Sequence, residues 1–353
     1  MKILVRFSMI LTLLNISIFA QNIDNILGVG GTFTIKDNTL NYFTLSQTTG
    51  YINILRSLRL ENTTNSTTGI IFKGTDRFIH NRGAENTFIG INSGNLNSSS
   101  DENTAFGYGT LSVVGGTGLS NTAVGYNSLN ANTSGDYNTA LGNLSLSSNT
   151  SGIQNTAIGS LSLKSIVTGT NNTAFGYASM ELTTTGNYNI AVGPYSLQNS
   201  SGSNNIGIGY YSLRNTSGSF NISIGDSSLS SNSLSGSGNT AIGRNTLRNV
   251  TTGINNTVMG SLAGTTITTG SNNTLLGYNA QSTSATVSNQ ITLGNNSVNS
   301  LRCNVTSITS LSDRRDKKNI KDLSLGLNFL MKLKPRQFNW DKREWYENGE
   351  FDG

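Results

Sequence analysis

One short phrase constrains this chain more than any other feature: Asn-Thr-Ala-apolar-Gly, written plainly at Asn121–Gly125 and again at Asn138–Gly142. Copies begin at Asn86, Asn103, Asn121, Asn138, Asn155, Asn172, Asn189, Asn205, Asn221, Asn239, Asn256 and Asn273, each with a Gly four residues on. A degenerate copy runs from Gln290 to Gly294, and successive copies lie 16 to 18 residues apart. A period near 17 held over about two hundred residues marks a repeat array, in which each unit is completed by its neighbours, and not a globular enzyme core.

A second anchor follows each Asn by eight residues: Leu111, Leu129, Leu146, Leu163, Met180, Leu197, Leu213, Leu229 and Leu247, always preceded by Ser or Thr. A polar run ending in a Gly turn comes next, as in Thr133-Ser134-Gly135. The period is too short, and too rich in Gly, Thr and Asn, for a pair of helices. It predicts two short strand-like pieces and two turns per repeat. The fold class is therefore all-β, a parallel β-solenoid or β-roll of about 17-residue coils. Two-residue alternation puts Thr122 and Val124 on one face and Ala123 on the other. The apolar residue before Gly and the later Leu are expected to point inward. The Gly is expected in a turn that a Cβ would obstruct, and the Asn in a left-handed turn or a stacked ladder. A single coil buries too little to order itself, so burial between coils, and between chains, is expected to supply the rest. At about 4.8 Å per coil, twelve coils make a rod roughly 60 Å long.

Charge supports the same reading. Charged residues are 12% of the 353, about half the usual share. Between Asn86 and Ser300 only Lys164, Arg214, Arg244, Arg248, Asp101, Glu102, Asp136, Glu181 and Asp226 carry charge. The array thus presents a neutral surface of Asn, Ser and Thr. Of the 23 basic residues, 10 fall between Arg314 and Arg343, mixed with 8 acidic ones from Asp313 to Asp352. That is a globular mixture and not a basic stripe, so no nucleic acid is expected as partner. Cys303 is the only cysteine and His80 the only histidine. No intrachain disulfide, multi-Cys metal site or His-based metal centre can be built from one chain, and no metal or cofactor is expected.

The chain divides by composition. Residues 1–20 read as a signal peptide: Lys2 and Arg6, an apolar run from Met9 to Phe19, then Ala20 before Gln21. The run is too short for a membrane span, and no other span is expected. Residues 21–85 read as an irregular β head or collar, with strand-like pieces at Thr32–Lys36, Tyr51–Leu55, Gly69–Lys73 and Arg77–His80. Residues 86–294 are the array, and 295–311 a transition or stalk. At Ser312 the composition changes: Ser312-Asp313-Arg314-Arg315-Asp316-Lys317-Lys318-Asn319-Ile320 leads into Leu323, Leu325, Leu327, Leu330, Met331 and Leu333. That stretch predicts a helix closed at Lys334-Pro335, followed by a strand through Phe338 and Trp340.

Two resemblances follow from these motifs. The repeat phrase is similar to the head repeats of trimeric autotransporter adhesins and to repeat regions of phage-type tail fibres, whose family heads have a somewhat shorter coil. The composite Ser312-Asp313-x-Arg315-x-Lys317-x-Asn319-Ile320, then a Leu-rich helix, then Leu333-x-Pro335-x-x-Phe338-x-Trp340, closely resembles the intramolecular chaperone domain of endosialidase-type tail spikes, the peptidase S74 family. The second resemblance implies an α+β module that trimerises the chain ends, templates folding of the fibre before it, and cuts itself off at its first serine. By position the scissile bond is Leu311–Ser312. Ser312 is then the nucleophile, Lys317 its general base and Asp313 a residue that helps position the loop. Family members continue beyond this point, so residues 312–353 are expected to be only the start of the module. A serine needs a base to take its proton, and with His80 remote in sequence a lysine of lowered pKa is the available one. The bland alternative has Ser312 and Asp313 capping a helix and Lys317 as a solvated charge.

The expectation is an exported, homotrimeric fibre at the bacterial surface or secreted, acting as an adhesin on a cell-surface glycan or receptor. The alternatives are a virion tail fibre, a passive spacer, or a polysaccharide-degrading tailspike, which would need clustered carboxylates.

Overall fold

The computed structural model describes residues 69–302 apart from 84, 95–100, 114, 115 and 232, with residues 60, 62 and 63 and the backbone of three earlier strands. Those strands are β1 (Thr32–Lys36), β2 (Asn41–Ser46) and β3 (Ile52–Ile54), joined as an antiparallel sheet in the order β1-β2-β3. The chain divides into two units after Val298, and of the second only residues 299–302 are described. The expected signal peptide, the helix and strand after Ser312, and Cys303 lie outside the described residues.

A hairpin of β4 (Ile71–Lys73) and β5 (Asp76–His80) starts the long sheet. The array then adds one three-residue strand per coil: β6 (Thr87–Ile89), β7 (Thr104–Phe106), β8 (Thr122–Val124), β9 (Thr139–Leu141), β10 (Thr156–Ile158), β11 (Thr173–Phe175) and β12 (Ile190–Val192). After a two-residue β13 (Asn199–Ser200) come β14 (Ile206–Ile208), the equally short β15 (Asn215–Thr216), β16 (Ile222–Ile224), β17 (Thr240–Ile242), β18 (Thr257–Met259), β19 (Thr274–Leu276) and β20 (Ile291–Leu293). The result is a 15-stranded sheet, antiparallel from β4 to β6 and parallel from β6 to β20. Like residues pair with like: Ala140 with Ala157, and Ala157 with Ala174. The chain is a parallel β-solenoid of about 17-residue coils, as its period requires.

The Asn of the phrase holds the stack. Its side-chain oxygen accepts the backbone N–H of the corresponding residue in the next coil at every step from Asn86 to Gln290, at 2.7 to 3.1 Å. From Asn103 to Asn273 its amide also donates to a backbone carbonyl in the next coil, three residues before that coil's own Asn, for example Asn155 Nδ2 to Gly169 O at 2.8 Å. The ladder therefore ties each coil to the next through both the oxygen and the nitrogen of the amide. It is buried along its length, where an unpaired amide would be costly. The left-handed residue is not this Asn but the one before it, as at Tyr137 and Gln154, with φ of 58° and 57°.

Two further expectations are corrected. The apolar residue before Gly points outward: Phe106, Leu141, Phe175 and Met259 are exposed, while Ala123, Ala140, Ala157 and Ala174 are completely buried. The interior is narrow. The Leu column from Leu129 to Leu247 already fills it, with Ile166, Val250 and Ile267 from a third corner, and only a small side chain fits beneath the strand. The Ala is consequently a core residue and unavailable for close approach of other chains. The stretch around the Leu is also not a strand in most coils. Leu146 and Leu163 have φ of 50°, and a second ladder forms only between β13 and β15, with a bridge from Thr216 to Leu234.

Left-handed backbone costs about 1–2 kcal/mol at a residue with a Cβ. Between Gln154 and Leu163 it recurs at Gln154, Leu161 and Leu163. Each donates its N–H to a neighbouring coil: Gln154 to Asp136 O, Leu161 to Asn143 O and Leu163 to Ser179 O, at 2.9 to 3.0 Å. Stacking offsets the strain, and an isolated coil has no such offset. The phrase Gly has φ between 120° and 143° from Gly107 to Gly277. A Cβ on Gly159 would lie 2.5 Å from the carbonyl oxygen of Gly176 in the next coil, so glycine is required there.

Candidate functional site

The predicted chemical residues Leu311, Ser312, Asp313 and Lys317 lie outside the described residues. What the described residues do present is the outer face of the long sheet. Two columns run up it. One holds the second residue of the phrase, Thr or Ile throughout. The other holds the residue before Gly, in the order Phe106, Val124, Leu141, Ile158, Phe175, Val192, Ile208, Ile224, Ile242, Met259, Leu276 and Leu293. Eight of these twelve are between 37% and 54% exposed: Phe106, Leu141, Phe175, Ile208, Ile224, Met259, Leu276 and Leu293.

Parallel in-register pairing makes the columns continuous, since Phe106 pairs with Val124, Val124 with Leu141 and Leu141 with Ile158. At about 4.8 Å per step the apolar strip is about 50 Å long. A contiguous exposed apolar strip of this length is unusual on a monomer's surface. Hydrophobicity alone misassigned this column to the core. Side-chain size was the usable signal: the column varies from Val to Phe, whereas the buried column stays at Ala through the six successive coils from Ala105 to Ala191. A one-residue-wide core demands constant volume and an outer face does not.

His80, the lone histidine, is a buried side chain of the β4–β5 hairpin. It ends β5 and is buried, with its ring centroid 5.0 Å from that of Phe88. Its Nε2–H donates to Ser93 O at 2.8 Å. Its Nδ1 meets no hydrogen-bond partner among the described residues. Burial holds its pKa below the ordinary value of 6.5, and the nearby Arg77 and Arg82 act in the same direction, so the ring is a neutral packing element closing the end of the coil stack. Among the described residues no group of three or more His, Cys, Asp or Glu could hold a metal ion. No helix among them is long and apolar enough to cross a membrane.

No curated protein and no solved structure matches this chain. Residues 312–351 match the family model of the chaperone of endosialidase, Peptidase S74, and that C-terminal domain behind a β-solenoid fits a tail-fibre-like protein with a C-terminal chaperone.

Proposed function

We propose that this chain is an exported, homotrimeric fibre of adhesin type, whose C-terminal module templates trimer assembly and then releases itself by cleavage between Leu311 and Ser312. The observation that carries the reading is the apolar strip on the outer face of the array. It runs through every coil from Phe106 to Leu293, and three copies packed strip to strip would cover it. The family match begins at Ser312, the residue to which cleavage is assigned. Export rests on the basic, apolar and small-residue sequence of residues 1–20. The neutral Asn-, Ser- and Thr-covered remainder suits contact with a surface glycan or receptor.

The cleavage chemistry follows from the residue types. Lys317, as the neutral amine, takes the hydroxyl proton of Ser312. The oxygen attacks the carbonyl carbon of Leu311, the peptide C–N bond breaks, and the proton passes to the released amine of Ser312. Water hydrolyses the resulting ester, leaving a carboxylate on Leu311 and a free Ser312. Asp313 positions the loop. The test is intact mass and sedimentation velocity of protein expressed from the complete gene, wild type beside Ser312→Ala. The expected result is a wild-type trimer ending at Leu311 and an uncut mutant. An uncut wild type, or a mutant cut at the same bond, overturns the mechanism; a monomeric product overturns the fibre reading.

A further inference from the structure

Tyrosines project from the coil edge just past the phrase Gly, and in one place they gather. Tyr195 is half-buried, and two exposed rings stand perpendicular to it from the coils on either side. Tyr177 lies 5.3 Å away at 83° and Tyr210 lies 6.1 Å away at 82°. Tyr211 stacks on Tyr195 at 5.0 Å and 29°, and meets Tyr210 at 4.1 Å. Pro194, one of two prolines in the chain, occupies the edge position between Tyr177 and Tyr210 and is exposed. Tyr195 and Tyr211 are stacked, and the exposed Tyr177 and Tyr210 stand against them, so the four rings form an aromatic cluster across three coils. Elsewhere on the described array the tyrosine contacts reduce to one stacked pair, Tyr108 and Tyr126.

Polar groups are fixed beside the cluster. The Arg214 guanidinium lies 4.5 Å over the Tyr211 ring and donates through Nε to Gln198 Oε1 at 3.0 Å. Gln198 Nε2 in turn donates to Glu181 Oε2 at 3.0 Å. This chain of planar groups crosses the same three coils as the rings, and the guanidinium is held flat by its stack and its bond together. Crowding by neighbouring rings and a hydroxyl hydrogen bond with Tyr177 raise the pKa of Tyr195. A hydrogen bond with Tyr211, and then crowding, raise that of Tyr210. Both shifts favour the neutral hydroxyl.

We propose that Tyr177, Tyr195, Tyr210 and Tyr211, with Arg214 held in place through the buried Gln198, form a binding site for a neutral hexopyranose glycan. Sugar rings present an apolar C–H face that lies on an aromatic ring and an equatorial rim of hydroxyls that needs planar hydrogen-bonding groups, and both are supplied here. The coil spacing of about 4.8 Å is close to the length of one sugar unit in an extended chain, so successive units meet successive coils. Arg214 is linked through Gln198 to Glu181, so its charge is balanced within the site and offers no net positive charge to draw a sialylated glycan. Rings already packed against one another lose little freedom on binding.

The inference rests on the surface-fibre reading and is tested separately from it. The probes are immobilised neutral glucans, mannans and galactans, a sialylated set and a Pro-rich peptide. The full chain is compared with Tyr195→Ala, Tyr210→Ala, Arg214→Ala and, as a control, Tyr108→Ala. Each sample is also sized by sedimentation and checked by circular dichroism. Binding of at least one neutral glycan, weakened tenfold or more by Tyr210→Ala and Arg214→Ala but unchanged by Tyr108→Ala, supports the site. Tyr195→Ala counts only if its dichroism matches wild type; Tyr210 and Arg214 are judged without it. The site is overturned if folded wild type binds no neutral glycan, binds only the sialylated set or the peptide, or binds equally after substitution. It is also overturned if the tyrosine variants fall apart into monomers, which would place the rings between copies. A trimer that binds no sugar removes the site and leaves the fibre standing.

Discussion

Asn155 offers the sharpest test of what holds the coils together. Its Oδ1 accepts from Asn172 N at 3.0 Å and from Asn172 Nδ2 at 3.1 Å, while its Nδ2 donates to Asn138 Oδ1 at 3.2 Å and to Gly169 O at 2.8 Å. Asn155→Ala removes all four bonds and leaves the Asn172 amide and the Gly169 carbonyl without them inside a fully buried site. Each stranded buried group costs about 1–3 kcal/mol, so the substitution is expected to cost about 2–6 kcal/mol. Asn155→Asp keeps the acceptor but turns an oxygen toward Asn138 Oδ1 and Gly169 O. The buried carboxyl should then titrate well above the usual carboxylate range. Once protonated it donates again to Gly169 O. The folded state then binds more protons than the unfolded one, so Asn155→Asp gains stability relative to Asn155→Ala as pH falls through that raised pKa. The assay is urea unfolding by circular dichroism across pH 4 to 8, with the two variants compared so that other carboxylates cancel. An alanine variant within about 0.5 kcal/mol of wild type would refute the ladder argument. Parallel pH responses of the two variants would refute the directional one.

Two further outcomes are expected. Where the Ala column enlarges, the Leu column shrinks: Phe88 goes with Gly94, and Val258 with Gly264, whose added Cβ would sit 3.2 Å from Val258 and 2.9 Å from Leu247. Ala157→Val should therefore cost about 1–3 kcal/mol and Leu163→Gly about 2–5 kcal/mol, while the double variant costs at least about 1 kcal/mol less than their sum; strict additivity in unfolding measurements would show that the two columns do not share volume. His80 has a folded pKa below its unfolded 6.5, so the stability it contributes is present above about pH 6.5 and is lost as pH falls toward the folded value, with a slope of at most about 1.4 kcal/mol per pH unit. His80→Gln should flatten that part of the pH–stability curve, and an unchanged curve would remove His80 from the account.

Much of the coil could be read from residue type because each type answers a separate physical demand. The Gly column needs positive φ and a close carbonyl, the Asn column needs a donor and an acceptor on one short side chain, and the Leu column needs bulk. Each demand recurs every coil, and repetition made it visible. The orientation of Ala123 against Val124 was not visible to hydrophobicity, because both residues are apolar and the strand alternates. Only the volume available beneath the strand decides between them, and that volume is set by Leu129 and its neighbours across the coil. The second strand was not legible either, since Ser145-Leu146 looks extended in sequence yet is held left-handed by the bond from Leu146 N to Ser162 O at 3.1 Å. The proposed dyad of Ser312 and Lys317 rests on motif alone, and it was legible only as a pattern.

The same repetition raises a problem that the C-terminal module would solve. If one coil slips against its neighbour by a whole repeat, Asn still meets Asn, Gly meets Gly and Leu meets Leu, so the ladder and the core are nearly indifferent to the error. The features that distinguish one coil from another include the exchanged pairs Phe88 with Gly94 and Val258 with Gly264, Gly207, Ser223 and Leu275 in place of Ala, and the 16- and 18-residue spacings near Asn121, Asn205 and Asn239. Between copies the ambiguity is greater still. In the proposed trimer, correct register sets Phe175 against Phe175, whereas a one-coil slip sets it against Val192, a change in size that a flat outer face tolerates. In the proposed mechanism, fixing the three chain ends before the coils stack would select one register where the coils themselves distinguish poorly. Cutting the template away afterwards would remove the means of refolding, and the finished fibre would then be held by its unfolding rate.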